Sequence, residues 1–396
     1  MERKSKYKYS RRMFIGMLFL FVLLQFAFYK MMIEAGDNIA HINFARSILN
    51  PNYEEGYLPH MKAYPLYHLT VKLVSLFCLG DYSVAGSCVL IAANIASVII
   101  ARHILFGFLQ EDSVVKKYIL DFVSIAYLIF EPVAGYLTDG RIYARQCGPN
   151  PWHNPTITFV RPIGLLTFIM FVCIIRCFRA DISYKEYRHY LIGFSVSSIL
   201  TVLAKPSFMM VFMPAMGIYA FFFWMKDIKG RFTNVMKLLL AVMPTAIIVF
   251  GQMIFFQIVN AGTAGQVKIA LGGFSGFSLQ EMIKVCIATF PIPLLALVLY
   301  GREILKNDAV NISYIALVIG VIEMFMFTNG ASGDFSWGYD LAVGMSTILV
   351  LGDRIANCKG YKSWRCILLI ALFTWQTIVG MYYLISGYQR GGAMWF

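Results

Sequence analysis

Eleven apolar runs, most close to the length that crosses a bilayer, follow one another along the chain with short basic segments between them. A spanning helix needs about 20 apolar residues at about 1.5 Å each. The runs cover residues 13–32, 82–106, 118–137, 161–178, 190–204, 207–225, 238–259, 284–301, 309–327, 339–352 and 366–387. This pattern predicts an all-α fold, a polytopic transmembrane bundle of about eleven spans. Composition agrees. Of 396 residues, 59% are hydrophobic and 14% are charged, against about 25% charged in soluble domains. Mean hydropathy is +0.67. Too few polar side chains remain to cover a water-soluble globule.

The net charge of +13 would suggest nucleic acid in a soluble protein. Here most basic residues fall in alternate short segments between runs, where the charge bias of membrane proteins accounts for them. No basic stripe interleaved with aromatics is visible, so nucleic acid is excluded as a partner. The bias predicts a multi-pass cell-membrane protein with a cytoplasmic N-terminus. Run 13–32 follows Arg3, Lys4, Lys6, Lys8, Arg11 and Arg12 and reads as an uncleaved anchor, because no small-residue cleavage site follows it. The eight cysteines show neither a CxxC pair nor zinc-ligand spacing.

Segments 33–81, 138–160 and 260–283 are then long extracytoplasmic loops, and 328–338 is a shorter one rich in aromatic and polar residues. Long ordered loops commonly carry function. Segment 64–80 is apolar but short, and it holds His68 and Lys72. A crossing there would place Lys116, Lys117, Arg354, Lys359 and Lys362 outside, so it reads as a helix along the outer surface. Charge inside a bilayer costs roughly 2.5–3.5 kcal/mol per residue. Glu131, Lys205, Glu323 and Asp340 all fall near outer ends of runs, which predicts a wet cavity opening outward. Interfacial helix ends would place them there as well. Unusual charge at one end, with no internal repeat, argues against a transporter.

Three stretches carry more specific information. Asp37, His41 and Ala45 lie in Gly36-Asp37-Asn38-Ile39-Ala40-His41-Ile42-Asn43-Phe44-Ala45, at i, i+4 and i+8 on one helix face. Tyr64-Pro65-Leu66-Tyr67-His68-Leu69 leads to Leu79-Gly80-Asp81. Leu203-Ala204-Lys205-Pro206-Ser207 forms a corner between two runs. In this order and sidedness they resemble the GT-C class of membrane glycosyltransferases, which includes the protein O-mannosyltransferases and the aminoarabinose transferase of lipid A. The resemblance covers residues 13–225 and departs from the class at Ala63-Tyr64 and at Ala204. It divides the chain into a GT-C-like module, 1–225, with its first outer loop at 33–81, and a remainder, 226–396, that matches only as further spans.

The resemblance implies transfer of a sugar from a polyprenyl-phosphate donor to a hydroxyl of a glycan, lipid or protein acceptor. It implies Asp37 as general base, where the simpler role is a helix cap. Cations near the leaving phosphate would come from Arg141, Arg145, Arg161 and Lys205, though lipid headgroups also attract arginine. His41, His68, His153, Asp334, Trp337 and Asp340 are candidate substrate contacts. For Trp152 the interfacial aromatic belt is the simpler role. No spacing demands a metal, and the class leaves room for a divalent cation such as Mg or Mn on the phosphate. The alternative expectation is a polymerase or flippase for lipid-linked oligosaccharide, and less so a small-molecule transporter.

Overall fold

The computed structural model describes residues 9–48, 62–133, 148–259, 267–328, 335–358 and 363–389. Among these, fourteen α-helices account for nearly all regular structure. They are α1 (Arg11–Met32), α2 (Gly36–Ser47), α3 (Leu66–Ser75), α4 (Tyr82–Phe106), α5 (Val114–Ala126), α6 (Pro155–Arg179) and α7 (Tyr184–Ala204). The series continues with α8 (Ser207–Met225), α9 (Ile228–Val259), α10 (Leu279–Thr289), α11 (Pro291–Tyr300), α12 (Asp308–Met326), α13 (Ser336–Asn357) and α14 (Trp364–Gln389). One antiparallel two-stranded pair joins β1 (Lys268–Ile269) to β2 (Phe327–Thr328), in register Lys268↔Thr328 and Ile269↔Phe327.

Among the described residues, seven helices are long and apolar enough to cross a membrane: α1, α4, α6, α8, α9, α12 and α14. The bent pair α10 and α11 makes an eighth if it is one span. The eleven runs therefore do not all become uninterrupted apolar helices. In run 118–137 the chain leaves helical geometry where the 13-residue α5 ends at Ala126. Run 284–301 breaks by 82°, where Pro291 cannot donate to a continuing helix and restricts Phe290 before it. Helix α7 begins on Tyr184, Lys185, Glu186 and Arg188, and α13 carries Asp340 and Asp353. Both helices run long, but their polar residues dilute the apolar signal. Helix α3 has ten residues, about 15 Å, too short to cross.

The core is built around α13. Almost every residue from Ser336 to Ala356 is buried, against α12, α8, α5, α11, α4 and α6. A helix buried on all sides must be apolar or small nearly throughout, and Gly338, Gly344, Ser346 and Gly352 fit that need. At Gly338 the approach is to backbone as well as side chain. A Cβ there would lie 2.5 Å from Val211 Cγ2 and 2.8 Å from the Ser207 carbonyl. The start of α13 is thus pressed onto the start of α8, which sets Trp337 beside the α7–α8 corner.

Candidate active site

Four segments meet at one end of the bundle. The first is the start of α2. Gly36 has φ +53°, a left-handed conformation that glycine tolerates and that turns the chain from α1 into α2. Ala35 occupies the cap position and offers no side-chain bond, so Asp37 is not the helix cap. Its carboxylate instead accepts from Asn154 Nδ2 at 3.5 Å. The second segment is the start of α6. Asn154 caps this helix and Pro155 follows at the first helical position, where the missing N–H costs nothing.

The third segment is the α7–α8 corner. Pro206 pushes the residue before it into extended geometry, and Lys205 stands at φ −168°, ψ 125°. Its ammonium donates to Asn154 Oδ1 at 3.3 Å and to Thr156 Oγ1 at 3.1 Å. The fourth is the start of α13. Trp337 offers its ring face to Lys205 Nζ, 5.1 Å from the centroid, within reach of a cation–π attraction. His153 meets the same indole edge-on at 6.0 Å.

A histidine pair flanks this cluster. His41 on α2 and His68 on α3 share one hydrogen bond, Nδ1 to Nε2, at 2.8 Å, with rings stacked at 5.1 Å. Both are buried. Burial, the His68 charge and then the Lys205 charge hold His41 well below the usual imidazole range. His68 is pushed down to about 3 by burial and then Lys205. His153 is pushed down to about 4 by the same two causes in the same order. All three rings are neutral near pH 7, when they can donate from one nitrogen and accept at the other.

Deeper in the same end lies a layer with unmet hydrogen-bonding capacity. Arg161 is 8% exposed, and its one hydrogen bond among the described residues is a long one, Nη2 to the Pro149 carbonyl at 3.5 Å. Among the described residues, no hydrogen-bond partner reaches either carboxylate oxygen of Glu131 or of Asp340, nor Asn150 Oδ1 or the Tyr127 hydroxyl, all of them buried. A small cavity touches Tyr127, Asn150, Arg161 and Asp340. Buried polar atoms in native proteins are nearly always satisfied by protein or water, and this layer brings several of them together.

Of the residues expected from sequence, Asp37, His41, His68, His153, Lys205 and Trp337 gather in the first cluster, and Arg161 and Asp340 in the layer beneath. Arg141, Arg145 and Asp334 lie outside the described residues. Asn154 and Thr156 join the cluster; the sequence marks them only as part of the polar, proline-fixed segment 150–156. The Asn154–Pro155 pair, a cap residue before a proline, was the signal for the first of them. Among the described residues, no three His, Cys, Asp or Glu side chains converge as a metal site. Comparison of the chain with protein families, with curated protein sequences and with solved structures finds no match in any of the three.

Proposed function

We propose that this protein is an integral membrane glycosyltransferase of GT-C type, with about eleven spans. It transfers a sugar from a polyprenyl-phosphate donor to an acceptor hydroxyl on the extracytoplasmic side. The observation that carries this reading is the bridge from Asp37 through Asn154 to Lys205, capped by the Trp337 ring. It joins a half-buried carboxylate, a cation and an aromatic face at one end of an apolar bundle.

The chemistry follows from those groups. The acceptor O–H gives its proton to the Asp37 carboxylate as its oxygen bonds to the anomeric carbon. The bond from that carbon to the phosphate oxygen breaks, and the electron pair leaves with the lipid phosphate. A positioned base contributes roughly 10²–10⁴-fold. Lys205, with Arg161 beneath it, supplies positive potential where phosphate charge grows. Trp337 offers a face on which a sugar ring can stack. Below this end, ring packing among Phe168, Phe171, Phe194 and Phe212 fills the bundle. That packing disfavours the polar path a flippase or transporter needs.

The test uses the full chain in lipid nanodiscs with farnesyl-phosphate hexoses and pentoses, and follows release of farnesyl phosphate. The parent should release it, and Asp37→Asn should slow release by about 10²–10⁴-fold with an unchanged thermal midpoint. Equal rates in both proteins would remove Asp37 as base.

A further inference from the structure

We infer that Asn154 is a positioning residue that fixes the Asp37 carboxylate in place, in addition to capping its own helix. The inference rests on the proposed transferase reading for its catalytic consequence, but its geometry stands on its own.

Amide orientation is normally a matter of assignment. At Asn154 the surroundings leave one choice. Oδ1 accepts from the Ile157 backbone N–H at 3.2 Å, from the Thr156 hydroxyl at 2.9 Å and from the Lys205 ammonium at 3.3 Å. A backbone N–H and an ammonium can only donate, so the atom facing them must be the oxygen. Nδ2 is therefore turned to the opposite side, where it lies 3.5 Å from Asp37 Oδ2, a long hydrogen bond that aims the amide at the carboxylate. Asn154 is 4% exposed, and Pro155 behind it holds the backbone. One rigid amide thus sets the carboxylate against the cation, with opposite ends of a single dipole on each.

A donor to a carboxylate favours its ionised form, the form a general base needs. Among the described residues, the other titratable groups around this site are Lys205, His41, His68 and His153, with Asp340 and Arg161 in the layer beneath. The histidines are neutral through the range in which a base of this kind works, so they leave the pH response to Asp37 and its bridge.

Capping and positioning can be separated. Asp and Ser cap helices about as well as Asn, so Asn154→Asp and Asn154→Ser keep the cap and remove the donor. In Asn154→Asp a second carboxylate also faces Asp37. The experiment uses the full chain in nanodiscs. It measures carbodiimide labelling of Asp37 by mass spectrometry against pH, together with farnesyl phosphate release from the donor panel. Carbodiimide reacts with the protonated carboxyl. In Asn154→Asp the labelling midpoint should rise by about one pH unit, with a smaller rise in Asn154→Ser. The acid limb of kcat should move with it, and kcat should fall about 10–100-fold with KM for the donor within about twofold.

A labelling midpoint in Asn154→Asp that matches the parent overturns the inference and leaves Asn154 as a cap only. A parent that releases no farnesyl phosphate defeats the transferase reading instead, while the labelling curves still decide the role of Asn154.

Discussion

The two ends of the bundle treat charge in opposite ways. At the end away from Asp37, buried charges are matched. Arg102 Nε donates to Asp121 at 2.7 Å, and the Tyr9 hydroxyl donates to the other Asp121 oxygen at 2.7 Å. Lys116 pairs with Glu111 at 2.5 Å and donates to the Ala356 and Cys358 carbonyls. Arg179 meets Asp308 at 2.8 Å with Tyr219 between them, and Arg354 meets Asp353. At the Asp37 end, Lys205 is held by an amide and a hydroxyl, Arg161 by one long bond, and Glu131 and Asp340 by nothing in hydrogen-bond reach among the described residues. Matched buried charge serves the fold. Buried polar groups with no hydrogen-bond partner among the described residues mark a place that water or another molecule can complete.

The comparison is broken most forcefully at the matched end. Asp121→Ala should strand Arg102 and Tyr9 together and cost about 3 kcal/mol. That is the low side of the range for a broken buried pair, because Arg102 keeps some water access. Thermal melting of the purified protein would read this as a clear drop in midpoint, with farnesyl phosphate release by the folded fraction unchanged. A midpoint equal to the parent would mean that the matched end contributes no more than surface ion pairs do.

The opposite sign is expected at the Asp37 end. Asp340→Asn replaces a buried carboxyl, without a hydrogen-bond partner among the described residues, with a neutral group of the same shape. Stability should hold or rise by about 1 kcal/mol, while release falls. A loss of stability as large as that of Asp121→Ala would erase the difference between the two ends.

Much of the matched architecture could be read from sequence because its causes are local. Helix α4 coincides with run 82–106, since Asp81 caps its start by accepting from the Val84 N–H and Gly107 follows its end. The break at Phe290-Pro291-Ile292-Pro293 also had a local signal in its prolines, although hydropathy alone passed over it. Run 118–137 failed for a non-local reason. Past α5, Asn150 Nδ2 donates to the Tyr127 and Phe130 carbonyls at 3.0 and 2.8 Å, and Gln376 bonds the Glu131 backbone. Side chains from distant segments satisfy a backbone that has left the helix, and no window of hydropathy contains them. The site divides along the same line. Asp37, His41, His68 and Lys205 came from short patterns. For Asn154 the sequence signals the cap, and only the fold shows what its second amide atom touches.

The smallest effect concerns pH and again separates the ends. His68, pushed down to about 3, and His153, pushed down to about 4, are neutral when folded and gain a proton near pH 6.5 when unfolded. Below that value the unfolded chain binds more protons, so these groups contribute stability that is fully present above about pH 6.5 and drains away as pH falls toward the folded values. The thermal midpoint of the parent should therefore decline between about pH 6.5 and pH 4. His41 is lowered as well, so His68→Asn removes one of three such titrations and should flatten that decline, even though its midpoint at pH 7.5 will be lower for loss of the His41 bond. The difference in slope between the two proteins, not the absolute midpoint, isolates the histidine. Parallel curves would mean that His68 already carries its proton in the fold, beside Lys205, and that the pair with His41 is charged instead of neutral.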